Sequence, residues 1–437
     1  MTVRGGVSRR AMLRIAAAAT AASTAQTLVG CGDGVPSTQV AVVWSGAELQ
    51  RFREVLRGYG QPVHVLSAGD DIDAFLRARQ LAGTSPDVAI LSRPGLLTEY
   101  AGRGWLAELD GTLATRFPTK LRRLLRHRGR LYGLWVKAAH KSLLWRLPSL
   151  APAAPRTWGE LLTATKELAR AARRSGGPAP LSIGAADGWV LTDWFENVLA
   201  DVAQPDTYDA LAGAGADWRG PAVRAALDRL AELWSVDGAF PDGGRRALLT
   251  QHEESVIQVV ARRRAAMVFE ADFVDGVARR FRRGDEPLTP SRFPDAPADP
   301  DVPDERRDRP LVIGGDVAVV LAGSRTGTDL VTWLTGPDAF QPWVRAGGYL
   351  SPNLAVSPAE YRDRLRAGLA REILNATDLR FDLSDRLRAP FTGADGVGIW
   401  QIMQDFFADV TGGRVRGAVD RTTAQLDRAA RHARSPR

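Results

Sequence analysis

The chain has 437 residues, 45% hydrophobic and 25% charged, with a formal net charge of +8 and one cysteine. That balance excludes a disordered chain and a disulfide-held mini-domain, and the length calls for two domains or more. The charge falls from +8 to +4 once the four arginines of the first thirty residues are set aside. No basic and aromatic run reads as a nucleic-acid interface.

Residues 1–30 read as an export leader. Arg4, Arg9, Arg10 and Arg14 make a basic start, and Ile15–Ala25 is an Ala-rich run too short to span a membrane. Ser8–Arg14 resembles a twin-arginine export motif, and Leu28-Val29-Gly30-Cys31 resembles a lipobox. Cys31 is therefore expected to carry a lipid at the mature N-terminus, with residues 31–38 as a tether. An acylated Cys31 leaves no thiol for a disulfide, so the fold must rest on its core.

Strands and helices then alternate. Gln39–Trp44, Val63–Leu66 and Asp87–Leu91 read as strands. Leu49, Phe52, Val55 and Leu56 mark one helix, and Ile72, Phe75 and Leu76 a second. This order predicts an α/β domain with a largely parallel sheet, whose ligand site lies beyond the strand ends. Trp44, Ser45, Glu48 and Arg93 fall there. Leu131–Trp145 is an extended run in which the chain crosses between domains. Thr157 and Glu160 form a capping box for a helix reaching about Arg174.

Leu181-Ser182-Ile183 reads as a strand, Gly184–Gly188 as a turn, and Thr192 or Asp193 as the cap of the next helix. Trp194 and Phe195 are expected in the core. Asp187 and Trp189, in the turn, are expected to meet a ligand: indole faces suit sugar rings and carboxylates accept from hydroxyls. Pro221 opens an amphipathic helix to Trp234, and another covers Ala247–Arg262. Ala265–Phe269 is a strand, with Glu270 placed at its end as Asp187 is at the end of the previous one. Gly284–Pro310, rich in Pro, Asp and Arg, reads as a long surface loop. Leu311–Val320 is an apolar run broken by Gly314-Gly315-Asp316. Ser357 and Glu360 form a second capping box, and amphipathic helices follow over Val397–Val410 and Val419–Arg431.

The five histidines lack metal-ligand spacing, and there is no HExxH, no cysteine pair, no G-x-S-x-G elbow and no phosphate loop. No cofactor, metal or catalytic residue is assigned. A carboxylate pair distant in sequence would suffice for a glycoside hydrolase, so that class stands as the rival reading.

Several segments together resemble the extracellular solute-binding proteins of bacterial ABC importers, in the carbohydrate-uptake group related to maltose-binding protein. They are Cys31 with its lipobox, Val42–Glu48, Pro86–Leu91, Leu131–Arg146, Ala266–Phe273, Gly314–Val320 and Trp333–Asn353. Ala186–Glu196 is similar to a subgroup associated with glucoside-type sugars. The family usually has proline where Trp135 stands and Trp-Lys where Val136-Lys137 stands. The resemblance implies two α/β lobes with a hinge: 39–142 plus 311–355 as lobe one, 143–310 plus 356–437 as lobe two. It implies a cleft lined by Trp44, Glu48, Arg93, Lys137, Gly315, Asp316 and Tyr349 from one side, and by Asp187, Trp189, Glu270 and Phe273 from the other. It further implies a sugar or oligosaccharide ligand, ABC permease subunits as partners, a membrane reached through a lipid on Cys31, a monomer, and no enzymatic activity. A ligand sensor uncoupled from transport is the other alternative.

Overall fold

The computed structural model describes residues 37–213, 215–295, 309–392 and 397–434. Cys31 and its lipobox lie outside them.

β1 (Thr38–Val42), α1 (Gly46–Leu56), β2 (Val63–Ser67), α2 (Ile72–Leu81), β3 (Val88–Leu91) and α3 (Pro94–Gly102) alternate as their apolar periodicities require. β1 pairs in parallel with both β2 and β3. The connections therefore leave β1 in opposite directions, and the chain after β1 opens at the switch point where ligands of such sheets sit. Trp44 is two residues beyond the strand.

β4 (Gly133–His140) belongs to this first sheet and β5 (Leu143–Arg146) to a second, so the crossing is Lys141-Ser142. The second region contains α4 (Trp158–Ser175), β6 (Ala179–Ser182), α5 (Gly188–Val202), α6 (Pro221–Trp234), α7 (His252–Val260), β7 (Ala265–Phe269), α8 (Val274–Phe281) and β8 (Thr289–Arg292). Its sheet runs β8-β5-β7-β6. The chain then returns through β9 (Leu311–Val320), α9 (Gly327–Leu334), α10 (Arg364–Asn375) and β10 (Leu379–Phe381), and ends with α11 (Ile399–Thr411) and α12 (Ala418–Arg434).

The first sheet is mixed rather than largely parallel. β9 runs antiparallel to β4 along one edge, and along the other pairs with β10 and then antiparallel with β3. Nor do the glycines break β9. It is continuous, with a register shift between Asp316 and Val317, and such a bulge re-aims a side chain. A Cβ at Gly315 would stand 2.6 Å from the Lys137 carbonyl oxygen, so only glycine lets these backbones approach.

Four further expectations are corrected. The proposed loop 284–310 contains β8, an edge strand antiparallel to β5. Its sequence, Thr-Pro-Ser-Arg, shows no apolar alternation, and Pro290 is tolerated because the strand is at the edge. The helix expected over Ala247–Arg262 is a short turn, Gly244–Ala247, followed by α7. α5 begins at Gly188 rather than near Thr192, which puts Trp189 in its first turn. The segment 356–437 does not stay with the second sheet: Leu369, Ala370 and Ile373 of α10 pack in the first core, and β10 pairs with β9.

Two cores result within one compact unit, Thr38–Arg437. Trp44, Phe52, Trp135, Trp343 and Tyr349 pack in one, and Trp194, Trp218, Trp234 and Phe407 in the other. Of the capping box expected at α4, the Thr157 half forms, Oγ1 accepting from Glu160 N at 3.2 Å, while Glu160 reaches one residue further and accepts from Arg156 N at 2.6 Å instead of from the cap residue.

Trp194 is 0% exposed and packs its ring 4.8 Å from Phe269 and 5.6 Å from Phe293. Trp194→Ala should cost about 3–5 kcal/mol. Urea unfolding measures this, and a loss below about 1 kcal/mol would contradict the core assignment.

Candidate functional site

On the first sheet, Trp44 Nε1 donates to Asp316 Oδ2 at 2.9 Å, while its ring meets Phe52 and Trp343 edge-on at 5.0 and 5.2 Å. Asp316 sits opposite Lys137 in the β4–β9 register. The Lys137 ammonium pairs with Glu48 at the start of α1 and lies 5.7 Å above the Trp343 ring. Burial alone would depress the Lys137 pKa, but Glu48, Asp316 and Asp272 hold it above its ordinary value. Burial pushes the Asp316 carboxyl up to about 6, against the pull of Lys137. Sequence candidates Trp44, Glu48, Lys137, Gly315 and Asp316 thus form one continuous wall.

On the second sheet, Asp187 occupies the cap position of α5, yet its carboxylate faces His252 instead of the helix. Oδ2 accepts from His252 N at 2.7 Å and lies 3.2 Å from His252 Nδ1. The His252 ring lies 5.2 Å from Trp189 and 6.2 Å from Phe273, and Trp189 is 6.1 Å from Phe273. Burial lowers the His252 pKa, but the Asp187 hydrogen bond and the Glu270 charge prevail and raise it. Glu270, at the end of β7, is 1% exposed and neither carboxylate oxygen has a hydrogen-bond partner. The nearby Ser255 hydroxyl donates instead to the His252 carbonyl at 2.6 Å. Burial pushes the Glu270 carboxyl up to about 8. Asp187, Trp189, Glu270 and Phe273 are therefore brought together around His252.

Lys141, at the crossing, links these walls. Its Nζ is 3.1 Å from Asp193, 4.0 Å from Asp385, in contact with Asp382, and 5.7 Å above the Trp189 ring. Burial would lower its pKa, but the three aspartates raise it well above the ordinary value. Burial raises Asp193 and Glu196, and takes Asp385 to about 8, while Lys141 overcomes burial to hold Asp382 below its usual range. Asp193, Glu196 and Asp382 present oxygens within 4.8 Å of one another, a spacing that could hold a metal. Two of the three already contact the Lys141 ammonium, and Glu196 accepts from Leu383 N at 2.7 Å and Ser384 N at 2.9 Å. The protein's own ammonium fills the cation's role.

Arg93 belongs to neither wall but lies close enough to Asp385 at the crossing to oppose the rise of its carboxyl pKa. It donates to Thr392 and lies 5.7 Å from the Trp400 ring. A Cβ on Gly188 would come within 2.6 Å of Trp400 Cβ, so α11 abuts the start of α5. Tyr349 is a core residue: it donates to the Val136 carbonyl, and its ring stacks 4.8 Å from Phe340. An aromatic ring inside an aromatic cluster, with its hydroxyl engaged, has no face left for a ligand. Sequence reasoning missed Lys141, Asp193, Glu196, His252, Asp382, Asp385 and Trp400. Asp193 and Glu196 carried a usable signal, since both interrupt an otherwise apolar helix.

Two α/β lobes joined by crossing strands, with aromatic and ionisable side chains converging on the crossing, define a two-lobe solute-binding protein. Residues 65–341, more than half the chain, match the bacterial extracellular solute-binding protein family, and the chain belongs to it. The osmoprotective compounds-binding protein GgtB of Synechocystis sp. is 26% identical over 408 residues, covering 87% of this chain and 90% of its own. The alpha-glucosides-binding periplasmic protein AglE of Rhizobium meliloti is 26% identical over 415 residues, covering 85% and 84%. A solved protein from work on xylan utilization by Caldanaerobius polysaccharolyticus shares the fold with a TM-score of 0.71 at 16% identity, over 90% of this chain and 99% of its own. RafE in complex with raffinose does so with a TM-score of 0.66 at 15% identity, over 90% and 100%. Among the described residues, no helix is long and apolar enough to cross a membrane.

Glu270 gives the site a pH dependence. Its carboxyl ionises near the ordinary 4.5 when unfolded but keeps its proton to about 8 when folded. The folded state then binds more protons, so this group's contribution to stability falls as pH rises from about 4.5 to 8. Glu270→Gln removes the dependence. Its melting temperature relative to the parent should climb between about pH 5 and pH 8. A difference that does not vary with pH would show that Glu270 ionises normally.

Proposed function

We propose that the protein captures a sugar or oligosaccharide between its lobes and delivers it to an ABC permease, without altering it chemically. The observation that carries this is the pairing of two walls, Trp44–Asp316–Lys137–Glu48 and Asp187–His252–Trp189–Phe273, on either side of the Lys141 crossing. Flat rings beside oxygen acceptors are what pyranose faces and hydroxyls require. Support comes from relatives whose names refer to alpha-glucosides and osmoprotective compounds, and from fold neighbours solved with raffinose and maltotriose. Glucoside-type sugars are the favoured class.

In this reading lobe one comprises 39–142, 311–355 and the returning segment through β10, and lobe two the remainder of the described chain. The lobes close on ligand about Lys141-Ser142, and closure excludes water from the hydrogen bonds. Trp189 stacks on a sugar ring. Both His252 contacts of Asp187 use Oδ2, so Oδ1 is the oxygen offered to a hydroxyl. Arg93 borders the cleft through Trp400. The protein acts as a monomer outside the cytoplasm, held to the membrane by a lipid on Cys31.

A thermal-shift screen with trehalose, sucrose, maltose, raffinose and maltotriose tests the proposal, because a ligand of the folded state raises its melting temperature. Trp189→Ala should weaken the sugar that binds by about 1–3 kcal/mol, roughly fivefold to 150-fold, with little change in the ligand-free melt. Mass spectrometry should recover that sugar intact. No shift with any sugar, or unchanged affinity in Trp189→Ala, would refute the assignment. Separately, Cys31→Ser should release the protein from the membrane fraction, and a variant that stays bound and processed like the parent would remove the anchor.

A further inference from the structure

A cavity of about 420 Å³ lies away from the cleft walls, in the seam between the two cores. Pro94, Gly95 and Thr98 of α3 and Leu124 form one side. Leu211, Trp218, Leu387 and Phe391, with Ala430 and Ala433 of α12, form the other. None of the eleven cleft candidates lines it. Its volume is within the range of small-molecule sites, about 300–1,000 Å³.

The charge of the lining points to what it would hold. Trp218, fully buried and edge-on to Phe391 at 5.0 Å, closes one end of the cavity. Arg123, Arg386 and Arg388 all line the cavity. Arg123 and Arg386 share one carboxylate, Asp209, which they hold below its ordinary pKa despite burial. Arg388 is exposed and has no ion partner among the described residues. Among the described residues that line it, the acidic one is Glu99, already paired with Arg77 at 2.6 Å and Arg103 at 3.0 Å. The guanidiniums are therefore in excess, over walls of Leu124, Leu211, Leu387 and Phe391.

We infer that this seam cavity is a second binding site, distinct from the cleft, for a small amphipathic anion: a carboxylate or phosphate ester on an apolar body. The apolar body packs between α3 and the Leu211–Trp218 side, and the anionic oxygens meet the arginines, where guanidinium geometry favours bidentate bonds. Such a ligand touches both cores at once, so it ties together the two halves that the cleft separates.

The test uses octanoate, octyl phosphate and, as their uncharged match, octanol, titrated calorimetrically into the whole protein. At least one anion should bind with one-to-one stoichiometry and octanol at least tenfold more weakly. Arg388→Glu, at an exposed position, should weaken the anion at least tenfold, and Leu124→Trp, which fills the cavity from its half-exposed rim, should abolish binding. Neither should change the response to a sugar in the thermal screen. If neither anion binds, if octanol binds equally well, or if Arg388→Glu binds as the parent does, the site does not exist. Should Leu124→Trp fail to fold, Arg388→Glu and the octanol comparison still decide.

Discussion

The Lys141 ammonium, buried at the point where the chain leaves the first sheet for the second, is the interaction on which the rest depends. Taking such a charge out of water costs several kcal/mol unless it is paired and hydrogen-bonded. Here Asp193 comes from α5, while Asp382 and Asp385 come from the turn after β10. Asn197 donates to the Lys141 carbonyl at 2.9 Å, and Ser142 Oγ accepts from Val312 N at 3.0 Å. One residue thus pins the crossing strands, the central helix of the second region and the return of the chain to the first. Parting these groups would leave buried carboxylates without their cation, at a cost of about 3–5 kcal/mol.

Each wall inherits its geometry from that anchor. α5 is fixed by Asp193 in its interior, and its first turn therefore presents Trp189 beside His252 and Phe273. β9 is fixed at its start by Ser142 and β10, and its bulge then turns Asp316 towards Trp44 and Lys137. The polar groups of both walls are already oriented by one another before any ligand arrives. Prior ordering of this kind lowers the entropy lost on binding.

The legible part of the sequence was whatever depends on local pattern. The alternating strands and helices up to β3, the Pro221 start of α6 and the Thr157 cap all rest on neighbours within a few residues. β8 was illegible because Thr-Pro-Ser-Arg becomes a strand only through the β5 edge beside it. The start of α5 was misplaced because Asp187 occupies the cap position without making the side-chain bond that marks a cap; its carboxylate is committed to His252, 65 residues away. At the site, strand-end placement brought Asp187 and Glu270 to the same locus, and the resemblance supplied the facing residues. Lys141 could not be found that way. Its partners are 52 and 241 residues distant, and no spacing rule joins them.

The unusual proton affinities of the cleft suit a neutral ligand better than a charged one. A fully ionised set of carboxylates this close together would repel itself and demand a cation. Instead burial holds Glu270 near 8, so close to neutral pH it is predominantly a protonated carboxyl, while the aspartates at the crossing are balanced by the Lys141 ammonium. A protonated carboxyl both donates and accepts, as a hydroxyl does, and can pair with a polyol in either sense without burying a net charge. Burial therefore does more here than shift a titration. It converts an acid that would select cations into a group matched to uncharged hydroxyls.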